Sequence, residues 1–509
     1  MTNTQPGGPD ALDPDALHLK SLGYNQVLHR RMSPFGNFAI SFSVISVLSG
    51  CMTLFGYGLT HGGPAVMLWG WIAVGAAVLV VGASLAEVTS AYPTSGALYF
   101  QAEKLGGKHG RRWGWYTGWL NLLGLLGAIA GIDYGAALFT GAFLNLQWGI
   151  EPTTGTIMVI YLCILALHAG LNLGGVHLVS ILNSVSVWWH LVGVAVIAGA
   201  LLLWPAQHQS PRFVFGHFVN DTGFANPVYA ACLGLLLAQY TFCGYDASAH
   251  LSEETRDAQR SAAQGIVRAI GWSWLAGFVL LASLLFAIQD YAGTQNSATG
   301  VPPAQIFIDA LGVTAAKVLL LVVIGAQLFC GNAEVAAASR MAFAFSRDGA
   351  LPGSNLWRRV STRTGTPVAA VWLSVGVAAV LALPSLYSAT AYAAITSINV
   401  IGITPAYAIP IFLRWRSRRT FQPGPWNLGR WGAPAAIVAV CWVVAVTLLF
   451  CLPQTNPINV DTFNYAPIAL VCVLLLAFIW YRVSGHRNYH LPPTPRNAGR
   501  DTGSHYETI

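Results

Sequence analysis

Residues 241–255 read "TFCGYDASAHLSEET" and follow directly on the apolar run "YAACLGLLLAQY" at 229–240. The run has the composition of a helix crossing a bilayer, yet a glycine, an aspartate and a histidine come next, where such a helix should stay apolar. Inside hydrocarbon, a backbone group released from its helix is costly unless another group binds it. A break at this depth survives only where it lines a cavity inside the protein, so this stretch predicts a helix opened on purpose in mid-membrane.

The rest of the chain supplies the membrane context. Of 509 residues, 55% are hydrophobic and only 9% charged, whereas soluble chains carry about a quarter charged. Apolar runs long enough to cross a bilayer, roughly 17 to 25 residues, recur with short polar connections. We place twelve, centred near residues 48, 76, 127, 162, 191, 238, 276, 328, 374, 400, 441 and 473. The expected fold is therefore an all-α integral membrane protein of twelve transmembrane helices. A tail over 1–35, a transmembrane domain over 36–482 and a second tail over 483–509 leave no room for a soluble domain. The start, "MTNTQPGGPDALDPDALHLK", lacks the basic and apolar regions of a signal peptide and reads as a disordered tail, with span 1 directing insertion.

The eight cysteines all fall in predicted spans, without the paired spacing of a metal site or a disulfide, and read as packing residues. No cofactor or metal is implied. The net charge of +7 has a topological explanation. With a cytoplasmic N-terminus, 24 of the 26 lysines and arginines lie in the tails and inside connections, and only Arg212 and Lys317 lie outside. The positive-inside rule then places both termini in the cytoplasm of a cell membrane and supports an even span count. The basic residues face a lipid bilayer, not a nucleic acid.

If spans 1–5 and 6–10 are two units, the odd number per unit turns the second upside down relative to the first. Glycine-interrupted segments at corresponding places in two such halves point to a binding site at the bilayer midplane. Span 1 carries "SVISVLSGCMTLFGYG", with Ser46, Ser49, Gly50, Gly56 and Gly58, and span 6 carries the opening stretch. Each is first in its unit. The halves share no visible residue-by-residue identity, and spans 11 and 12 stand outside the repeat. At facing breaks, free amides attract a carboxylate and free carbonyls attract an ammonium, a pairing that fits a zwitterionic amino acid.

The stretches "SPFGNFAISFSVISVLSG", "GGPAVMLWGW", "AEVTSAYPTSGALYF", "GWYTGWLNLLG", "AGIDYGAA" and "TFCGYDASAHLSEET", in this order, resemble the amino acid-polyamine-organocation superfamily. They are most similar to its amino acid and choline transporter branch, which includes gamma-aminobutyrate permeases. "SRMAFAFSRDGALP" adds to the resemblance, which runs from about Gly23 to about Arg482. It implies a LeuT-like 5+5 inverted repeat plus two C-terminal helices, with substrate held between spans 1, 3, 6 and 8.

Residue by residue, the resemblance puts Val47, Leu48, Ser49 and Gly50 in the unwound stretch of span 1, where amides would bind the substrate carboxylate. Close helix packing is the plainer reading of such small residues. Phe242, Cys243, Gly244 and Tyr245 match the break of span 6, and Tyr240 matches an aromatic gate. Asp246 is costly in a membrane and so is a functional candidate for coupling or gating, or else a cap on the second half-helix. His250 is expected to reach the interface, and Glu253 and Glu254 to meet arginines in a loop. His190 stands where proton-coupled relatives carry a lysine; histidine departs from that pattern but keeps a titratable group, so it is the candidate for proton coupling. Its alternative is a neutral hydrogen bond between helices. Asp133 and Tyr134 in span 3 and Asn332 and Glu334 in span 8 complete the polar groups at useful depth, with a Glu334–His190 pair as one possibility. Glu87 reads as an inner gate or a structural pair.

These readings converge on a secondary transporter importing an amino acid or related amine with protons by alternating access. An exchanger is the mechanistic alternative. A quaternary amine such as choline is the substrate alternative, served by Tyr57, Tyr134, Tyr240 and Tyr245 through cation-π attraction. An enzyme lacks its motifs here, with no HExxH or GxSxG, and a non-transporting sensor would need a larger signalling segment.

Overall fold

The computed structural model describes residues 13–387, 391–460 and 462–491. The outer parts of both expected tails, 1–12 and 492–509, lie outside the described residues. Eleven helices among those described are long and apolar enough to cross a membrane. They are span 1 (Pro34–Thr53), span 2 (Gly63–Ala91), span 3 (Gly107–Trp148), span 4 (Thr154–Leu173) and span 5 (Val176–Leu203), then span 7 (Ala258–Ala287), span 8 (Val313–Arg347), span 9 (Val368–Leu386), span 10 (Ala391–Arg416), span 11 (Gly429–Cys451) and span 12 (Ala466–Asn488). Span 6 makes twelve: Pro227–Thr241, then irregular backbone over 242–246, then Ala247–His250. It misses the length of a continuous span because it breaks. The described residues contain no β-strand, only two isolated bridges, Met32 to Thr255 and His61 to Asn220.

Both broken spans start in the same local way. Ser33 caps span 1 by accepting from the Gly36 amide, with Pro34 in the first helical position. Asn226 caps span 6 by accepting from Val228 and Tyr229, followed by Pro227. A polar cap before a proline already set for helix satisfies the amides that a helix start leaves free.

Span 3 is buried along 94% of its apolar stretch, span 1 along 89% and span 10 along 83%, whereas span 12 is buried along 11%. Spans 1, 3 and 10 therefore form the core, and span 12 offers its side chains to lipid. Span 10 packs along span 3, span 7 lies against spans 1 and 2, and span 8 closes against spans 3 and 5.

The N-terminal tail corrects an expectation. From Asp13 onward it is ordered: Pro14–Ser21 is a helix with Leu19 buried, and the Asp15 carboxylate accepts from the amides of Asp257 and Ala258 at 2.7 and 3.0 Å, capping span 7. Tyr24 and His490 both reach Asp348 at the end of span 8, so the described parts of the two tails meet on one face, here called the tail-bearing face.

Candidate functional site

The break in span 1 is a single residue. Ser46 takes φ 28° and ψ 84°, a left-handed conformation that is strained for a side chain with a Cβ. Its hydroxyl supplies compensation on both sides, accepting from the Ser49 amide at 3.2 Å and lying 2.7 Å from His190 Nε2 on span 5. The Ser46 carbonyl takes the amides of Ser49 and Gly50. Among the described residues nothing accepts from the amides of Val47 and Leu48, so the half-helix Val47–Thr53 opens with two uncommitted donors. The break expected across 47–50 thus falls one residue earlier.

Span 6 opens at Gly244, whose φ of +86° is one that a residue with a side chain rarely adopts. Val44 of span 1 presses on the same glycine. Among the described residues nothing donates to the carbonyls of Thr241, Phe242 and Cys243, while the Gly244 amide donates to Tyr407 Oη at 3.1 Å.

The two breaks face one small cavity, lined by Val44, Ile45, Ser49 and Gly50 of span 1, Tyr240, Thr241, Cys243 and Gly244 of span 6, Ala128 and Ile132 of span 3, Cys330 of span 8 and Asn399 of span 10. No charged side chain lines it. Recognition of a charged group here has to come from backbone dipoles and from neutral polar side chains such as Ser49, Thr241 and Asn399. Span 6 approaches so closely that a methyl group on Gly50 would sit 2.7 Å from Thr241 Cβ.

Comparison with known proteins agrees with this architecture. Residues 33–478 match the family described as amino acid permease. The chain belongs to that amino acid permease family. It is similar to Amino-acid permease BAT1 of Arabidopsis thaliana, 40% identical over 494 residues that cover 93% of this chain and 95% of the relative. It is also similar to a BAT1 homolog of Oryza sativa subsp. japonica, at 38% over 503 residues (95% and 96%), and to the GABA-specific permease of Saccharomyces cerevisiae, at 29% over 505 residues (94% and 85%). As an amino acid permease the protein is a multi-pass membrane transporter and not an enzyme.

Of the residues singled out from sequence, this permease gathers Ser49, Gly50, Tyr240, Cys243 and Gly244 on the cavity. The others sit behind it. Leu48 packs towards Gly193 of span 5, Phe242 lies 4.4 Å from the Trp71 ring of span 2, and Tyr245 lies 4.5 Å from the Tyr407 ring. Val47 is buried and does not line the cavity. Asp133 turns to span 4, where its Oδ2 is 3.0 Å from His168 Nδ1. Tyr134 stacks on Tyr392 at 5.8 Å, and Asn332 Oδ1 accepts from Asn172 at 3.0 Å. Glu334 is fully buried, its carboxylate close behind Gly244, and among the described residues neither oxygen has a hydrogen-bond partner. The Glu334–His190 pair is therefore not made: His190 spends Nε2 on Ser46 and Nδ1 on the Ser186 carbonyl at 2.8 Å.

Two further expectations change. His250 does not reach an interface; it is fully buried, with Nε2 3.0 Å from Asp246 Oδ2. Asp246 makes no side-chain cap, because its carboxylate is taken by Tyr407 Oη at 2.7 Å, Asn121 Nδ2 at 3.2 Å and His250. Glu253 and Glu254 do meet arginines, Arg347 at 3.0 Å and Arg340 at 2.9 Å, and Glu87 pairs with Arg414 at 2.8 Å. Sequence reasoning missed Val44, Ile45, Ala128, Ile132, Thr241, Cys330 and Asn399 of the lining, since apolar or lone polar residues within a span carry no mark of which face they occupy.

Proposed function

We propose that this permease carries a zwitterionic amino acid by alternating access, with the substrate carboxylate on the amides that open the second half of span 1 and the ammonium on the carbonyls that end the first half of span 6. The observation that carries the reading is the pair of facing breaks on a cavity without charged side chains. Unsatisfied helix ends supply partial charges of both signs at no cost of burying ions.

The coupling ion is a proton, and His190 is the residue that ties it to span 1. A neutral ring satisfies its contacts, with Nδ1–H donating to Ser186 and Nε2 accepting from Ser46. Protonation of Nε2 turns that nitrogen into a donor, so the Ser46 hydroxyl must reverse at the very residue where span 1 breaks. The direction is import across the cell membrane with both termini cytoplasmic, which the placement of basic residues supports. Spans 1–5 and 6–10 form the inverted units, each starting with its broken helix. A quaternary amine fits less well: of the four candidate tyrosines only Tyr240 lines the cavity, while Tyr57 stacks on His61 at 3.8 Å, Tyr134 stacks on Tyr392 and Tyr245 packs tilted against Tyr407.

The test is uptake by the purified protein in proteoliposomes, with and without an inward proton gradient, of gamma-aminobutyrate, a neutral amino acid mixture and choline. Gradient-stimulated uptake of an amino acid, lost in His190→Ala, is the expected result. Flux only into vesicles preloaded with amino acid would replace the symporter with an exchanger.

A further inference from the structure

His250 and Asp246 make a second arrangement of titratable groups, on the tail-bearing side of the cavity, and its hydrogen-bond arithmetic differs from that of His190. His250 Nδ1 lies 3.1 Å from the Ser95 carbonyl and Nε2 lies 3.0 Å from the Asp246 carboxylate. Both partners of the ring are acceptors when Asp246 is ionised. A neutral imidazole has one N–H and serves only one of them; two N–H groups, or a proton on the carboxylate, serve both. Satisfying both contacts at once therefore takes one proton beyond an aspartate and a neutral histidine.

The pair is wired in two directions. Towards the substrate, the Gly244 amide on the cavity wall donates to Tyr407 Oη, which donates to Asp246 Oδ1. Towards the tail-bearing face, Ser95 offers its carbonyl to His250 and donates its amide to Glu253 Oε1 at 2.9 Å, and Glu253 pairs with Arg347 of span 8. We propose that His250 and Asp246 bind and release a transported proton as a unit, and that release unclasps the segment after span 2 to open the tail-bearing face.

This rests on the proton-coupled reading and adds a site to it. On loss of one proton to entering water, no other covalent bond changes: an aspartate and a neutral imidazole remain. One N–H then faces two acceptors. The charged carboxylate outcompetes the neutral carbonyl for it, so the Ser95 carbonyl is released. Ser95 acts as a mechanical junction, since its carbonyl and its amide, on either side of its Cα, link His250 to Glu253 without passing the proton on. The groups around the pair are Cys243 and Tyr245 of span 6 itself, Tyr407 of span 10, the neutral amide of Asn121 of span 3, Glu334 of span 8 behind Gly244, and Glu253 with Arg347 beyond Ser95. Among the described residues, span 1 brings Asn37 and Ser41 to this stretch, bonded to Ser248 and the Tyr245 carbonyl. All of these residues except Cys243 and Gly244 lie outside the cavity lining.

Wild type, His250→Gln and Tyr407→Phe, each in proteoliposomes, separate the possibilities through two readouts: accumulation driven by a proton gradient, and counterflow exchange at equal pH. We expect His250→Gln to keep counterflow and lose accumulation, and Tyr407→Phe, which takes one donor from Asp246, to shift the pH of half-maximal uptake upward. A wild type indifferent to the gradient would overturn the proton-coupled reading and this one with it. A wild type that responds, with a His250→Gln variant that accumulates as well as it does, would overturn this proposal alone. If His250→Gln fails to fold, an unchanged pH profile in Tyr407→Phe overturns it instead.

Discussion

At the scale of the residue, the site depends on the absence of side chains as much as on their presence. Gly50 and Thr241 hold the second half of span 1 against the first half of span 6, so closely that a Cβ on Gly50 would overlap the threonine side chain. Overpacking of this kind costs about 1–3 kcal/mol in a core; here it also pushes apart the helix ends that frame the cavity. Gly50→Ala is expected to reach the membrane and lose uptake, and the double variant with Thr241→Gly to recover part of it. Uptake per folded protein checks this. Full activity in Gly50→Ala would show that the close approach is not needed for transport. The break itself is harder to locate from the residue types. Serine gives no signal of left-handed backbone, so Ser46 reads as one small residue among several until its hydroxyl is seen between Ser49 and His190. Gly244 is legible because only glycine takes its conformation without strain.

At the scale of the element, the spans were readable because each is a long apolar run, and the structure places a helix over every expected centre. What joins them was only partly readable. A charged residue near a helix end is equally suited to water, headgroups or another helix, and its partner lies hundreds of positions away. Glu87 of span 2 and Arg414 of span 10 illustrate this. They meet at 2.8 Å with 2% and 10% of their side-chain surface exposed, and Glu87 also accepts from the Leu428 amide at 3.3 Å. Removing one member leaves the other charge buried and unpaired, which costs roughly 3–5 kcal/mol, more than the net worth of the pair. Glu87→Ala should therefore lower the thermal unfolding midpoint in detergent more than the double variant Glu87→Ala with Arg414→Ala. Equal losses in the two would show that the pair is not a coupled unit.

At the scale of the whole molecule, the described parts of the two tails are tied through one residue, Asp348. Asp348 accepts from Tyr24 Oη at 2.7 Å and Tyr99 Oη at 2.8 Å, its carbonyl accepts from the His490 amide, and the Arg347 guanidinium sits 3.9 Å from the centre of the Tyr24 ring. Burial pushes Asp348 up from 3.8 to about 6, against the pull of Arg347 and the two tyrosines, and pushes nearby Glu103 up from 4.5 to about 7. An acid whose folded value is raised stabilises the fold fully below its unfolded value and loses that contribution as pH rises through the folded one. For Asp348 the loss is on the order of 3 kcal/mol, complete by about pH 7. His18 and His490, which burial holds below their usual 6.5, give the opposite slope, because there the unfolded chain takes up protons first. The comparison that isolates Asp348 is therefore between wild type and Asp348→Asn, with the unfolding midpoint measured from pH 5 to pH 8. Asparagine keeps an acceptor for the tyrosines and cannot ionise, so the variant should lose less stability than wild type towards pH 8. Parallel curves would mean that Asp348 ionises in the folded protein as freely as in water, and that the clasp of the two tails does not depend on its charge.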